Sequence, residues 1–398
     1  MSTYNIRNLF PFKRVKISEI KTSNDGKITL VKILPDYRFL PICSGCLRPV
    51  RKIHSTETRI LRDLPMAGSQ VFIYYTYRKI YCSRCQFKVE HHDFIEPYAR
   101  VTIRFAHYIH ELCRVMTILD VARHTGLSWD QVRKIDKKEL KKRYSRIKLK
   151  NLRILCIDEI SLKKHHSYLT IIANYLTGQV IAVLQTRTYE ALAKFLKRLP
   201  LKARKSIQAV AMDMWDPYIK AFKEWCTQAK IVFDPFHVIA NYSRVIDKIR
   251  REQYRLADDA SKALMKKSRY LLLKNPQNLT AAQRPRLKKI LKNNELLSAA
   301  YLLKDYLKRL WQYKYPKSAE KFLAYWCQLA HETESTYLIK FAESLVNYKY
   351  GLINHCRFPI HNAKLEGINN KIKVIKRKAY GYRDLEYFKL KIIQSTIN

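Results

Sequence analysis

Three acidic residues stand where acids are expensive to keep. Asp158 follows the apolar run "RILCI" and Asp213 follows "IQAVAM"; an ionised Asp is depleted in strands and costly to bury unpaired. Glu366 is the single acid in "NAKLEGINNKIKVIKRKAYGYR", Asn362 to Arg383, which carries seven Lys and Arg. Alone, either Asp reads as a strand-end residue bonding a turn, and Glu366 as an intrahelical partner of Lys364 or Lys373. As a set they do more. Clustered carboxylates repel unless a cation lies between them, and three hard oxygen donors suit magnesium or manganese. The neighbouring acids read differently: strand alternation sends Glu159 to the opposite face, and Asp216, followed by Pro217, reads as a helix cap. A second set is sulfur. Cys43, Cys46, Cys82 and Cys85 form two CxxC pairs, "CSGC" and "CSRC", and four thiolates suit one tetrahedral zinc ion. The alternative is a chance packing of thiols. The other five cysteines are scattered singly in apolar patterns and read as small core residues.

Both sets need elements to assemble them. The gap between the cysteine pairs contains "SQVFIYYTYRKIYC", an alternating aromatic strand, so an inserted hairpin can bring the pairs together. From Leu152 onward "LRILCIDEISL", "SYLTIIANY" and "QVIAVLQ" read as three strands, with a turn at Thr177-Gly178 and connections short enough for an antiparallel meander. The helix "TYEALAKFLKRLP", the strand "SIQAVAMDMW", a helix from Asp216-Pro217 and the strand "KIVFDPF" follow. That order is the order of an RNase H-like mixed sheet, in which adjacent first and fourth strands set Asp158 and Asp213 side by side. Near the carboxyl terminus Asn362 can cap a helix starting near Ala363. Its Leu365, Ile368, Ile372 and Ile375 share one face for packing on the sheet, while Glu366, Asn370, Lys373 and Arg377 share the next.

The balance of charge points to the partner. The 398 residues hold 77 Lys and Arg against 33 Asp and Glu, a formal net charge of +44, with 47% apolar residues. An excess of that size self-repels in isolation and fits a polyanion, with nucleic acid ahead of an anionic membrane. No stretch is long and apolar enough to span a bilayer, and "MSTYNIRNLFPFKR" lacks the apolar core of a secretory signal, so the expected location is the cytoplasm. Ahead of the sheet, "ILDVARHTGLSWDQVRKIDKKELKKRY" reads as a helix-turn-helix, with Gly126 at the turn and Ser128 capping the second helix. That helix presents Trp129, Asp130, Arg133 and Lys134, with Arg123 on the helix before it, and runs into a cation-rich stretch through Lys150 that can neutralise phosphates. A helical hairpin with solvated charges is the plain alternative. Between about Val238 and Cys356 the pattern is amphipathic helix, in which Trp311 and Trp326 read as packing residues rather than base-stacking ones.

At these residues the chain resembles a known family. "CIDEISLKKHHSYLTIIAN", "MDMWDPYIKAF", "FDPFHVIAN" and "NAKLEGINNKIKVIKRKAYGYRDLEYFKL" resemble, in order and spacing, the signature blocks of bacterial insertion-sequence DDE transposases of the ISL-three type. The two CxxC pairs, "RDLP" at Arg62 to Pro65 and the helix-turn-helix are similar too. The resemblance implies a multidomain α/β chain: a zinc-ribbon DNA-binding domain (1–100), a helix-turn-helix with a basic linker (101–150), an RNase H-like catalytic domain begun at 151–237, an all-helical insertion (238–356), and a terminal catalytic helix with Glu366 (357–398). It implies Asp158, Asp213 and Glu366 as a catalytic triad holding two magnesium or manganese ions, with one structural zinc on the cysteines. Asp234 and His237 in "DPFH" match an element whose implied role is architectural. Arg123, Trp129, Arg133, Lys134, Lys371, Lys373 and Arg377 are the expected DNA contacts. The implied activity is cleavage and strand transfer at the terminal inverted repeats of a mobile element, on double-stranded transposon ends and target DNA, as a homodimer or larger assembly near the nucleoid. A non-catalytic DNA-binding regulator with the same body is the rival reading, and an RNase H-like nuclease acting on branched DNA or RNA hybrids is a third.

Overall fold

The structure, a computed structural model, describes residues 9–145, 149, 151–163, 167–360 and 363–397. Two compact units emerge: Met1–Arg146 with Lys376–Lys391, and Ile147–Ile375 with Ile392–Asn398.

The first unit starts with a five-stranded sheet of β1 (Val15–Thr22), β2 (Ile28–Pro35), β3 (Ile53–Met66), β4 (Ser69–Cys82) and β5 (Gln86–Val89), ordered β1-β2-β4-β3 with β5 also on β4. Alternation in β2 and β4 sends Val31, Ile33, Val71, Ile73 and Tyr75 into a core shared with Leu61, Phe10 and Phe94. The expected hairpin is the long β3–β4 ladder, running from Ile53 opposite Ile80 to Met66 opposite Ser69. Three helices follow, α1 (Ile103–Val115), α2 (Ile118–Thr125) and α3 (Trp129–Tyr144). Gly126 ends α2 at φ 67°, a left-handed conformation that glycine adopts without a Cβ penalty. Ser128 then forms a reciprocal capping box with Gln131. The "RDLP" motif is the joint between sheet and helices. Arg62 donates to the Thr125 carbonyl at 2.9 Å, while Asp63 accepts from the Thr102 hydroxyl and from Arg104 Nε.

The second unit holds a sheet of β6 (Ile154–Lys163), β7 (Ser167–Asn174), β8 (Val180–Leu184), β9 (Ala209–Met212) and β10 (Lys230–Phe233), in the order β10-β9-β6-β7-β8. The first three strands are antiparallel neighbours, and β9 and β10 add in parallel. This is the RNase H-like order expected from the sequence. Helices α4 (Tyr189–Arg198), α5 (Leu201–Lys205) and α6 (Asp216–Trp225) lie between its strands in the chain. Asp216 is not the cap of α6: Trp215 holds that position without a side-chain bond, and Asp216 accepts instead from the Tyr348 hydroxyl at 2.9 Å.

Next comes α7 (Pro235–Leu256), 22 residues capped by Asp234 and started by a proline whose missing N–H costs nothing at that position. The expected boundary at 237/238 falls inside its first turn, because a Pro-initiated helix runs unbroken from the sheet into the insertion. The insertion is helical as expected, with α8 (Asp259–Met265), α9 (Arg269–Leu273), α10 (Gln283–Lys292), α11 (Glu295–Leu307), α12 (Pro316–Glu332), α13 (Thr336–Asn347) and α14 (Lys349–Ile353). Trp326 is fully buried and donates to the Leu303 carbonyl, a packing role. At Gly351 of α14 a Cβ would lie 2.3 Å from the Phe233 ring, so glycine lets this helix lie directly on β10.

Helices α15 (Ala363–Lys378) and α16 (Leu385–Ser395) end the chain. Asn362, the expected cap of α15, lies outside the described residues, as does part of the cation-rich stretch ending at Lys150. In α15 Leu365, Ile368 and Ile372 are buried as anticipated. By compactness, 376–391 groups with the first unit and the rest of 363–397 with the second. Tyr387 and Leu390 pack with Leu140 of α3. Beneath them Asp136, fully buried, bonds His110 at 2.6 Å and accepts from the Tyr387 hydroxyl at 2.5 Å, with the Lys391 ammonium at 3.4 Å.

Candidate active site

Strand register explains how the two aspartates meet. Cys156 of β6 lies opposite Ala211 of β9 in a parallel ladder, so two residues further on Asp158, midway along β6, lies level with Asp213, the first residue past β9. Phe233 of β10 lies opposite Met212, which puts Asp234 next to Asp213. β9 and β10 thus end in acids, and Asp158 of the adjacent parallel strand β6 stands level with them, on the side where open α/β sheets gather ligand chemistry.

His237, one turn into α7, completes the group. Its Nε2 is 3.0 Å from an Asp213 oxygen, 3.6 Å from Asp234 and 4.0 Å from Asp158. Donor atoms of Asp158, Asp213 and His237 all lie within 4.8 Å of one another, close enough to hold one metal ion. The imidazole expected to be architectural therefore sits among the acids. The i,i+3 spacing of Asp234 and His237 on a helix start was the available signal, because the helix turns the ring back over the strand ends.

Asp158 is oriented by a residue absent from the expected set. Asn369 Nδ2 of α15 donates to Asp158 Oδ2 at 2.6 Å, and the Glu159 N–H occupies the other oxygen at 2.7 Å. Asn369 lies one turn after Glu366, on the same side of the helix. Glu366 itself is exposed in the first turn of α15, and the compact donor group found among the described residues consists of Asp158, Asp213 and His237. Glu159 turns away as expected, accepting from the Tyr218 hydroxyl at 3.1 Å with Arg187 at 3.5 Å.

The electrostatics are those of a site short of positive charge. Burial is the largest influence on Asp213; His237 opposes it, and Asp158, Asp234 and Glu159 reinforce it, so the carboxyl is pushed up to about 7. Its Oδ1 is shielded from solvent and receives no hydrogen bond, the His237 Nε2 standing 3.0 Å from that same oxygen. A divalent cation satisfies both conditions at once; the carboxylates suit magnesium or manganese, while the imidazole is a donor that softer divalent metals favour. The residues present fit the implied metal.

The cysteine set is closed by comparison. Cys43, Cys46, Cys82 and Cys85 gather their sulfurs within 4.8 Å, with Cys46 and Cys82 3.7 Å apart. Backbone N–H groups of Arg84 and Cys85 aim at the Cys82 sulfur and bring its thiol down to about 7. The donors suit tetrahedral zinc. The remaining five cysteines are free, four of them buried.

The expected DNA contacts are placed unevenly. Arg123, Trp129 and Lys134 are exposed on α2 and α3. Arg133 stacks over Trp129 and is also drawn to Asp384, 3.2 Å away, where Lys137 binds too at 2.7 Å. Lys371 is exposed and bonds the Ser395 carbonyl, and Lys373 and Arg377 are exposed along α15. Lys364, whose ammonium bonds the Tyr175 and Leu176 carbonyls at 2.9 and 3.2 Å, fixes the start of α15 on the sheet. Among the described residues no helix is long and apolar enough to cross a membrane.

Comparison with known proteins agrees with this layout. A family described as "Transposase" matches residues 155–392, the helix-turn-helix domain of transposase family ISL3 matches 90–139, and the zinc-finger of transposases IS204, IS1001, IS1096 and IS1165 matches 40–85. The chain is 36% identical to the transposase for insertion sequence element IS1001 of Bordetella parapertussis, over 94% of each chain. It is 24% identical to the transposase for IS1557 of Mycobacterium tuberculosis, over 93% of this chain and 90% of the other. With a zinc-ribbon cysteine set, a capped helix-turn-helix and acids aligned on an RNase H-like sheet in one sequence, the chain belongs to the ISL3 family of insertion-sequence transposases.

Proposed function

We propose that the protein binds the terminal inverted repeats of its element and catalyses metal-dependent DNA strand cleavage and strand transfer in the bacterial cytoplasm. The observation that carries this reading is the register of Asp158 and Asp213, which sets a cation-deficient donor group beside a basic helix. Asp158, Asp213 and His237 would hold the divalent metal, with Glu366 as a further carboxylate from α15 and room for two ions in the expected scheme. When bound, the metal supplies Lewis-acid polarisation of a phosphate and lowers the pKa of coordinated water. The chain's own residues do the rest. Asn369 fixes the rotamer of Asp158, and the strand ladder fixes the separation of Asp158 and Asp213. His237 lends partial compensation to Asp213 in the free protein. Lys371, Lys373 and Arg377 offer countercharge to the DNA backbone, while α2 and α3 bring Arg123, Trp129 and Lys134 to duplex ends. One zinc ion on the four cysteines would hold the ribbon.

The test is a nicking assay with purified protein, element-end DNA and magnesium. Cleavage that exposes a 3′ hydroxyl, followed by joining to target DNA, is the expected result. Tight end binding without any metal-dependent cleavage would instead favour a DNA-binding regulator.

A further inference from the structure

The helical insertion contains a cavity of about 890 Å³ that the proposed chemistry does not use. Its wall is strongly cationic. Arg244, Lys248, Arg251, Arg269, Lys274 and Lys308 line it, with Lys304 at its base, and Asp247 is the one carboxylate among the described lining residues. Asp247 is already committed, accepting from Arg250 and Arg251 at 2.8–2.9 Å with Arg269 at 3.5 Å. Lys304 is buried against the Leu273 carbonyl at 2.5 Å. Burial first, and the Lys308 charge second, bring its ammonium down to about 8 against the opposing pull of Asp305, which pairs with Lys308 at 3.0 Å.

Two further observations point to a ligand with bases as well as phosphates. Trp311 lines the cavity with its indole N–H shielded from solvent and without an acceptor. Phe236 also lines it while leaving most of its ring exposed. Aromatic faces interleaved with cations are the surface that single-stranded nucleic acid uses, bases stacking while phosphates are neutralised. The dimensions agree. A volume of this size belongs to the range of small-molecule sites and cannot enclose a duplex, whose major groove alone is about 12 Å wide and 8.5 Å deep.

Helix α7 ties the cavity to the acid group. His237, Arg244, Lys248 and Arg251 recur at i, i+7, i+11 and i+14, one face of a helix. At 1.5 Å per residue Arg244 and Lys248 lie about 10.5 and 16.5 Å along the axis from His237. We propose that this cavity holds a short single-stranded DNA segment leading away from the acid group, with its phosphates on Arg244 and Lys248 and a base against Trp311. The proposal rests on the reading that the acid group acts on DNA.

The test uses the full chain in EDTA, so that binding is read without cleavage. The probe is a short fluorescent oligothymidylate followed by anisotropy, together with quenching of tryptophan emission. Arg244→Ala/Lys248→Ala should weaken binding at least tenfold and flatten the salt dependence by roughly 1.4 log units per log unit of salt, about 0.7 for each lost phosphate contact. Lys288→Ala/Lys289→Ala removes the same charge from an exposed face outside the cavity and should cost threefold or less. Trp311→Phe should remove most of the quenching. Equal losses in the two double variants, or quenching unchanged in Trp311→Phe, would overturn the assignment. So would a blunt duplex whose quenching is lost in Trp311→Phe as fully as that of the oligonucleotide, or inorganic pyrophosphate that quenches as strongly. Because the readout is binding in EDTA, its outcome stands whether or not the acid group cleaves DNA.

Discussion

Two donor groups occupy this chain, and they are built on opposite plans. The four cysteines are chemically equal, supplied in pairs by tight knuckles at the foot of the β3–β4 hairpin. Each pair brings its own local geometry, and folding the hairpin only has to join two finished halves. The acid group mixes carboxylates and an imidazole from β6, the end of β9 and the start of α7, and no two of these are near in sequence except Asp234 and His237. It keeps a buried Asp213 oxygen that receives no hydrogen bond, with the His237 ring 3.0 Å away. A closed, symmetric group suits a metal that holds structure, whereas an open and unequal one leaves a place for substrate.

The contrast can be broken at its strongest point first. Cys82→Ser should abolish stoichiometric zinc, measured by metal analysis, and destabilise the first unit severely, since apparent structural zinc affinities are on the order of 10 kcal/mol. Full zinc content in that variant would undo the closed plan. Asp213→Asn should leave the melting temperature and end binding nearly intact while lowering magnesium-dependent nicking by on the order of 10³-fold, about 4 kcal/mol in the barrier. Normal cleavage by this variant would remove Asp213 from the chemistry.

A gentler probe is Asn369→Ala. If Asn369 orients Asp158, the loss should be roughly 10- to 100-fold in magnesium affinity or nicking, and excess magnesium should restore part of it. A defect indifferent to magnesium concentration would assign Asn369 to packing alone. The smallest effect is expected at Asp384, a carboxylate whose cations the chain itself supplies. Burial pushes its pKa up, but the hydrogen bond from Lys137, the Tyr387 N–H and the charges of Lys137 and Arg133 together hold it below 3.8. Its contribution to stability is therefore complete above the unfolded value of 3.8 and is lost as pH falls through the lower folded value. Asp384→Asn should cost about 1 kcal/mol or less at neutral pH, read from urea denaturation, and this difference should vanish in acid. A large cost would make the pair structural in its own right.

Local patterns made much of this legible beforehand. Apolar runs ending in Asp158 and Asp213, the CxxC knuckles, Gly126 with Ser128, and the buried stripe of α15 all express their chemistry within a few residues of sequence. The sheet order followed from the succession of short strands and helices. What stayed hidden depends on contacts across long intervals. Asn369 looks like any helix-surface amide until α15 is laid on β6, 211 residues away in sequence. His237 looked architectural because a lone His carries no signal until neighbouring strands place their acids around it. The exchange of Arg133 with Asp384 spans 251 residues, and nothing in the periodicity of α3 marks one of its cations as already engaged.

That long span has a consequence for how the protein is made. Asp136 of α3 is sealed in by Tyr387 and Lys391, of which Tyr387 is made 251 residues later. At roughly 5–20 residues per second, α3 waits some tens of seconds for those partners after its own synthesis. A prematurely terminated product would retain the cysteine knuckles and the turn at Gly126, yet would carry Asp136 and His110 without the lid that closes over them. Incomplete translation products are therefore expected to hold α3 less firmly than a chain that includes α16.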